Sequence, residues 1–249
     1  MYLDRVQREW DELARRNPLA AILWPPGESD GWDEKAFFRT GRAEVREVLE
    51  AVSRGEPNLG RDRALDFGCG VGRLAQALCE YFDQVHGVDI SPTMISLAER
   101  YNRFPNKCRY YLHSRDDLTL FPDSSFDFIY SSITLQHIKP RYTKRYLREF
   151  ARLLAPSGAL VFQLLGRPEI RGLRGVLRCW PWFYKGISRC RRYLWESDAP
   201  AVSMYYIRPK AVLRFLAKLD RISAVGVETR LCSEWWSHRY IVRRRNSAG

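Results

Sequence analysis

No apolar run in the 249-residue chain approaches the roughly 18 residues that a membrane-spanning helix needs. Met1–Arg16 is charged and amphipathic, without the apolar stretch and small-residue cleavage site of a secretory leader, so a cytoplasmic protein is expected. Internal repeats and low-complexity tracts are also missing, which excludes solenoids and sticky polar tails. The six cysteines (69, 79, 108, 179, 190 and 232) are scattered, with no C-x-x-C pair and no His at ligand spacing. That excludes the common zinc frameworks and leaves free thiols in a reducing compartment. Acidic residues are absent between Ile170 and Trp195, where seven basic ones stand: Arg171, Arg174, Arg178, Lys185, Arg189, Arg191 and Arg192. Removing those seven charges from the net +12 leaves +5, so an anionic partner is expected at this segment.

With 45% hydrophobic and 28% charged residues, the remainder reads as an ordinary globular chain of one large domain with an appendage. Residues 1–60 form an expected helical cap. Leu3, Val6, Trp10 and Leu13 recur at helical spacing, Pro25, Pro26, Gly27 and Gly31 make a turn, and a second amphipathic helix covers Glu34–Val52. From Ala64 the pattern changes to short apolar runs alternating with helices. Strands are expected at Ala64–Phe67, Gln84–Val88, Lys107–Leu112, Phe126–Ser131 and Ala159–Leu165, with helices at Arg73–Phe82, Pro92–Arg103 and Tyr142–Leu154. Such alternation implies an α/β fold, a doubly wound and mostly parallel sheet covered on both faces. Pro156-Ser157-Gly158 is expected to stop the last of these helices before its strand. Residues 61–249 are read as the core, interrupted at 167–206 by an insert of Gly, Pro, Arg and aromatics. A helix over Pro209–Leu219 and two strands, Ile222–Thr229 and Arg239–Val242, close it as a hairpin.

The most informative stretch is Leu65-Asp66-Phe67-Gly68-Cys69-Gly70-Val71-Gly72-Arg73-Leu74, a strand that runs through a glycine-rich turn into a helix. Glycines let the backbone turn tightly and let a ligand approach where a Cβ would stand. The dinucleotide pattern G-x-G-x-x-G is not met, because the third glycine comes one residue early and position 73 is Arg. Asp89 ends the second strand seventeen residues after Gly72, where an acidic side chain accepts hydrogen bonds from ribose hydroxyls. A strand-end carboxylate of this kind is expected to contribute little to folding.

These residues resemble motif I and the following acidic motif, G-V-D-I-S-P-T-M-I, of the class I S-adenosylmethionine-dependent methyltransferases. Phe126–Ser131 resembles that family's fourth strand, and Leu153–Leu160 resembles its turn before strand five, with Ser157 in place of a glycine. The likeness covers about Arg63–Leu165 and is nearest in flavour to the small-molecule type 11 and 12 enzymes. It implies a seven-stranded Rossmann-like sheet and S-adenosyl-L-methionine as cofactor. By the resemblance, Asp66, Gly68, Gly70 and Gly72 shape the methionine pocket, with small Cys69 inside the loop, and Asp89 binds ribose. Ile90 and Met94 line the adenine, and Ser114, Arg115 and Asp116 face its amine. Ser131 and Ser132 flank the reacting centre.

Methyl transfer to a hydroxyl needs alignment and a base. His137, after strand four, suits a general base, and the competing reading is that it only packs against the cofactor. Arg42 is a candidate for the cofactor carboxylate, against a plain surface arginine. In the insert, Trp180, Trp182, Phe183, Tyr184, Tyr193 and Trp195 interleave with the basic residues. It is read as an acceptor lid, against a solvated face or a peripheral membrane contact through 170–195. The expected reaction is methyl transfer to a small-molecule, sugar or lipid-linked acceptor. The alternatives are an RNA or protein methyltransferase that uses the basic insert, and a cofactor-binding regulator without turnover.

Overall fold

The computed structural model describes residues 2–23, 31–54, 58–168, 202–232 and 235–244. The insert's basic segment, Ile170–Trp195, and the turn at Pro25–Gly27 therefore lie outside the described residues. Three N-terminal helices come first: α1 (Tyr2–Arg16), α2 (Pro18–Ile22) and α3 (Glu34–Ser53). The body follows as β1 (Arg63–Phe67), α4 (Arg73–Leu78), β2 (Gln84–Asp89), α5 (Pro92–Tyr101), β3 (Cys108–Leu112) and β4 (Phe126–Ser131). A single 3₁₀ turn (Leu135–His137), α6 (Pro140–Leu153), β5 (Leu154–Pro168), α7 (Pro209–Leu216), β6 (Ile222–Cys232) and β7 (Trp235–Arg244) complete it. No helix among the described residues is long and apolar enough to cross a membrane.

All seven strands join one sheet in the order β3-β2-β1-β4-β5-β7-β6. The first five run parallel, and β7 enters antiparallel between β5 and β6. Strand periodicity divides the core in two. Leu65, Phe67, Ile129, Leu160 and Phe162 face one side with Leu147 and Phe150 of α6 and Val212 and Leu216 of α7. Ala64, Phe128, Tyr130 and Val161 face the other with Val45, Val48 and Val52 of α3 and Leu74 and Leu78 of α4. Burying each such side chain contributes about 1.5–3 kcal/mol, which is what holds helices on both faces. Within the N-terminal region, α3 is thus a layer of the core itself, while α1 and α2 lie over the strand ends.

The expected stop at Pro156-Ser157-Gly158 is placed differently. The helix ends at Leu153 and β5 begins at once, with Leu154 paired to Phe126 and the register shifting before Phe128–Ala159 resumes it. Ser157 takes φ 61°, so the turn chemistry makes an irregularity inside the strand instead of a loop before it. Strand order reverses between β1 and β4, and in open α/β sheets the crevice beyond such a reversal is where ligands bind.

Candidate active site

That crevice holds a cleft of about 790 Å³. Its floor is the glycine loop. As β1 ends, Gly68 and Cys69 both donate their N–H to the Val88 carbonyl (2.8 and 3.1 Å), which ties the loop to β2. Gly68 (φ 77°) and Gly70 (φ 52°) sit in the left-handed region that favours glycine. A Cβ on Gly68 would overlap Thr134, and one on Gly70 would overlap Ile22 of α2, so the floor is kept bare on purpose of geometry. Asp89 accepts the Gly70 N–H on Oδ2 and the Ser91 N–H on Oδ1, each at 2.9 Å. Burial pushes its carboxyl above the usual range despite those bonds. The carboxylate expected to contribute little to folding is therefore the clamp that shapes the loop and the entry to α5.

Below the floor, strand alternation turns Asp66 to the α3–α4 side, where it is 0% exposed. Neither of its oxygens has a hydrogen-bond partner of good geometry. Burial raises its pKa to about 7, offset only in part by the charge of Arg73 and the Ala75 amide. Arg73, 3% exposed, pairs with Glu44 of α3 (2.8 Å). Glu44 also accepts from the hydroxyls of Tyr130 and Ser132, both at 2.7 Å. Burial would raise Glu44, but Arg73 and the two hydroxyls outweigh it and hold the carboxyl below its ordinary value. This buried network was not anticipated. Arg73 differs from the dinucleotide pattern in the sequence, but nothing there points to Glu44 as its partner.

The walls come from distant segments. Leu3, Val6 and Trp10 of α1 and Ile22 of α2 face Ile133, Thr134, His137 and Ile138 across the opening, with Tyr146 deeper in. Asp11 secures α1 to the start of α5 by accepting from the Ser91 hydroxyl and the Thr93 N–H, both at 2.8 Å. Gln7 Nε2 donates to the Ile90 carbonyl (2.9 Å), and the Tyr2 hydroxyl accepts from the Lys139 N–H (2.9 Å). Ile133, a β-branched residue, holds φ 59°, a strained conformation of the kind that gathers at functional clefts.

Of the anticipated site residues, Gly68, Gly70, Asp89, Ile90, Met94 and His137 line the cleft together. Gly72 caps α4, Cys69 is buried beside the Gly70 carbonyl, and Asp66 lies beneath. Ser131 is fully buried and donates to the Phe67 carbonyl (3.0 Å), so Ser132 is the serine that reaches the cleft. Four placements need correction. Arg42 points away to pair with Glu80 (2.8 Å) on the surface. Ser114 and Arg115 are exposed and Asp116 pairs with Arg145, so β3's trailing segment meets the cleft through His113 instead. The reason is local: His113 Nε2 contacts the Asp117 carbonyl (2.6 Å), and Arg115 turns to the Asp117 carboxylate, folding the segment onto itself.

His137 is in place, but both its ring nitrogens are engaged. Nδ1 faces the Ser203 carbonyl and Nε2 the Gln136 amide nitrogen, each at 3.2 Å. A carbonyl only accepts, so Nδ1 carries a proton. Burial lowers the ring's pKa to about 4. Ser203 and Tyr205, whose N–H donates to the Gln136 carbonyl (2.7 Å), place the end of the insert against the cleft mouth.

A bare glycine floor and a strand-end carboxylate with spare lone pairs fit S-adenosylmethionine. Gly68 and Gly70 would admit its methionine portion, Asp89 its ribose, and Ile90 and Met94 its adenine. Comparison with known proteins agrees. A family model described as a methyltransferase domain matches residues 65–162. An uncharacterized methyltransferase of Mycobacterium tuberculosis is 30% identical over 142 residues, 57% of this chain and 69% of that one. The malonyl-[acyl-carrier protein] O-methyltransferase of Halorhodospira halophila is 33% identical over 154 residues, 59% of this chain and 48% of its own length. Among solved structures, the magnesium protoporphyrin IX methyltransferase of Synechocystis with bound S-adenosylhomocysteine shares the fold, with TM-score 0.65 and 18% identity over 97% of this chain and 99% of that one. The chain belongs to the class I S-adenosylmethionine-dependent methyltransferases.

Proposed function

We propose that the acceptor is a small-molecule or lipid-linked carboxylate, methylated on an oxygen that is already ionised when it reaches the cleft. One observation carries this: among the described residues, each titratable side chain lining the cleft is tied to another group of the chain, and His137, the candidate base, is also weakly basic. Asp89 holds two backbone amides, and His113 contacts the Asp117 carbonyl. Tyr146 donates to the Arg115 carbonyl, and burial pushes its hydroxyl well above the ordinary phenol range, so it holds its proton at neutral pH. His137 is neutral and weakly basic, with its accepting nitrogen occupied. A hydroxyl or ammonium acceptor would have to lose a proton to one of these groups, whereas a carboxylate has none to lose.

When bound, S-adenosylmethionine supplies an electrophilic methyl group on its sulfonium sulfur. The task of the chain's own residues is to align the acceptor oxygen and exclude water. Leu3, Val6, Trp10, Ile133 and Ile138 make the opening apolar, and His137 acts as a wall that ties residues 203–205 to the mouth. In this reading 170–195 is the acceptor-side lid, since residues 203–205, which follow it in sequence, contact Gln136 and His137 at the cleft, and its seven positive charges attract the carboxylate. The homologue named for O-methyl transfer to malonyl-[acyl-carrier protein] supports the reading.

The test is S-adenosylhomocysteine formation with panels of carboxylate, phenol and amine acceptors across about pH 6–9, a range in which carboxylates stay ionised. Turnover is expected with carboxylates, at a rate flat with pH. Turnover confined to phenols or amines, rising with pH, overturns the proposal.

A further inference from the structure

We propose that the outer face of α6 and α7 docks on an anionic lipid bilayer. This inference stands apart from the identity of the acceptor. Along α6, Arg141, Lys144, Arg145 and Arg148 stand at helical offsets of zero, three, four and seven, which puts all four on one side of a helix about 21 Å long. All four are exposed. Around α7, Arg208, Lys210, Arg214 and Lys218 are exposed as well. The two elements are neighbours, since both bury apolar residues in one cluster and the Arg148 guanidinium lies 5.0 Å over the Phe215 ring. The two basic stripes therefore form one surface.

That surface is not neutralised from within. The acidic residues of these elements are Glu149, already held by Arg152 (2.7 Å), and Asp220 beyond the end of α7. Arg145 pairs with Asp116, but among the described residues Lys144, Arg148, Lys210, Arg214 and Lys218 have no ion pair. At the rim nearest the cleft, Tyr206 is 48% exposed, and on α7 Leu213 is 36% exposed. These give the face an apolar footing among its charges.

The chemistry of the face selects its partner. Nucleic-acid surfaces offer aromatic rings on which bases stack. Here the rings of the two helices are already covered, Tyr142 stacked on Tyr2 at 4.8 Å beneath Arg141 and Arg145 and Phe215 under Arg148, which leaves Tyr206 as a single exposed ring at the edge of the face and no row of rings for successive bases. Protein interfaces are depleted in lysine at their centres, yet Lys144, Lys210 and Lys218 lie within this patch. A pair of helices with spread, exposed lysines and arginines and a few exposed apolar side chains suits a fluid anionic surface, which meets many charges at once. Because α6 starts three residues after His137, docking there would bring the cleft mouth to the headgroups, where a lipid-borne acceptor resides.

The experiment is co-sedimentation of the full chain with vesicles of phosphatidylcholine alone and of equal parts phosphatidylcholine and phosphatidylglycerol. The parent is expected to partition onto the anionic vesicles only and to be released by raised salt. The Lys144→Gln, Lys210→Gln, Arg214→Gln, Lys218→Gln variant should lose about a hundredfold or more in partitioning, on the scale of four surface charges. Its affinity for S-adenosylhomocysteine should be unchanged, which shows that it is folded. A single-stranded oligonucleotide and poly-glutamate are run in parallel. Parent-like partitioning of the variant, no binding of the parent to anionic vesicles, or binding confined to the oligonucleotide or poly-glutamate overturns the proposal.

Discussion

Each oxygen of Asp89 accepts one backbone N–H, from Gly70 and from Ser91, and a carboxylate oxygen has a second lone pair to offer. The same side chain therefore shapes the glycine floor and keeps lone pairs free on the cleft lining. Asp89→Ala should weaken S-adenosylhomocysteine binding by about 1.5–3 kcal/mol, the scale of a bond to a charged group. It should also destabilise the fold, since each amide left unsatisfied costs about 1–3 kcal/mol. Asp89→Asn, which keeps one acceptor, should fall between. Calorimetry and thermal melts on the same preparations check this, and an alanine variant with parent stability would remove Asp89 from its structural duty. Arg42 shows the opposite outcome at residue scale. It and Glu44 are two positions apart on α3 and so point about 200° apart, one to the surface and one into the core.

Among the elements, α1 is the one that makes the cleft a closed site. Its inner stripe of Leu3, Val6 and Trp10 covers the opening, and its polar contacts reach both banks. Asp11 and Gln7 hold the turn that carries Asp89 and Ile90, while Tyr2 holds the chain after His137. Removing Asp11 leaves the Thr93 amide and the Ser91 hydroxyl without their partner, and α1 with its Gln7 and Tyr2 contacts. Asp11→Ala is therefore expected to speed trypsin cleavage within α1 and to raise the dissociation rate of S-adenosylhomocysteine several-fold, with the core melting temperature lowered by only a few degrees. Unchanged proteolysis and unchanged ligand release would show that α1 is held by its apolar stripe alone.

For the molecule as a whole, the response to pH reports how the core was assembled around charged groups. Asp66 holds its proton up to about pH 7 in the folded state against 3.8 for the unfolded value. A raised value of this kind contributes stability that is full below pH 3.8 and is lost as pH rises towards 7. His86 and His137 are both lowered from 6.5 to about 4 by burial, so their contribution has the opposite sign, present above 6.5 and lost as pH falls towards 4. The two trends oppose each other across the same window. Asp66→Asn removes the first and leaves the second, so its stability should climb from about pH 4 to 7 more steeply than the parent's. Denaturant titrations at a series of pH values test this, and parallel curves for parent and variant would show that Asp66 is not the group responsible.

The strand–helix rhythm from Arg63 to Leu165 and the glycine loop were legible because they are local necessities. A strand buried on both faces must be apolar, and a turn with positive φ at Gly68 and Gly70 favours glycine whatever surrounds it. Asp89 was legible for the same reason, since its place at a strand end follows from chain order alone. What the sequence could not settle were encounters between segments far apart in the chain. Glu44 meets Arg73, Tyr130 and Ser132, and Trp10 of α1 meets His137 edge-on at 5.0 Å. The irregular start of β5 belongs with them, because Leu154 becomes strand by pairing with Phe126 even though Pro156 and Gly158 read as a stop. Local propensity is a weak term that cross-strand bonding and burial override, and a charged side chain on a helix carries no mark of what will face it. The sequence by itself determined the fold class, the loop and the strand-end carboxylate of the cleft; the tertiary structure alone decided which side chains close the cleft, which stay outside it, and how far His137 retains the basicity of a free imidazole.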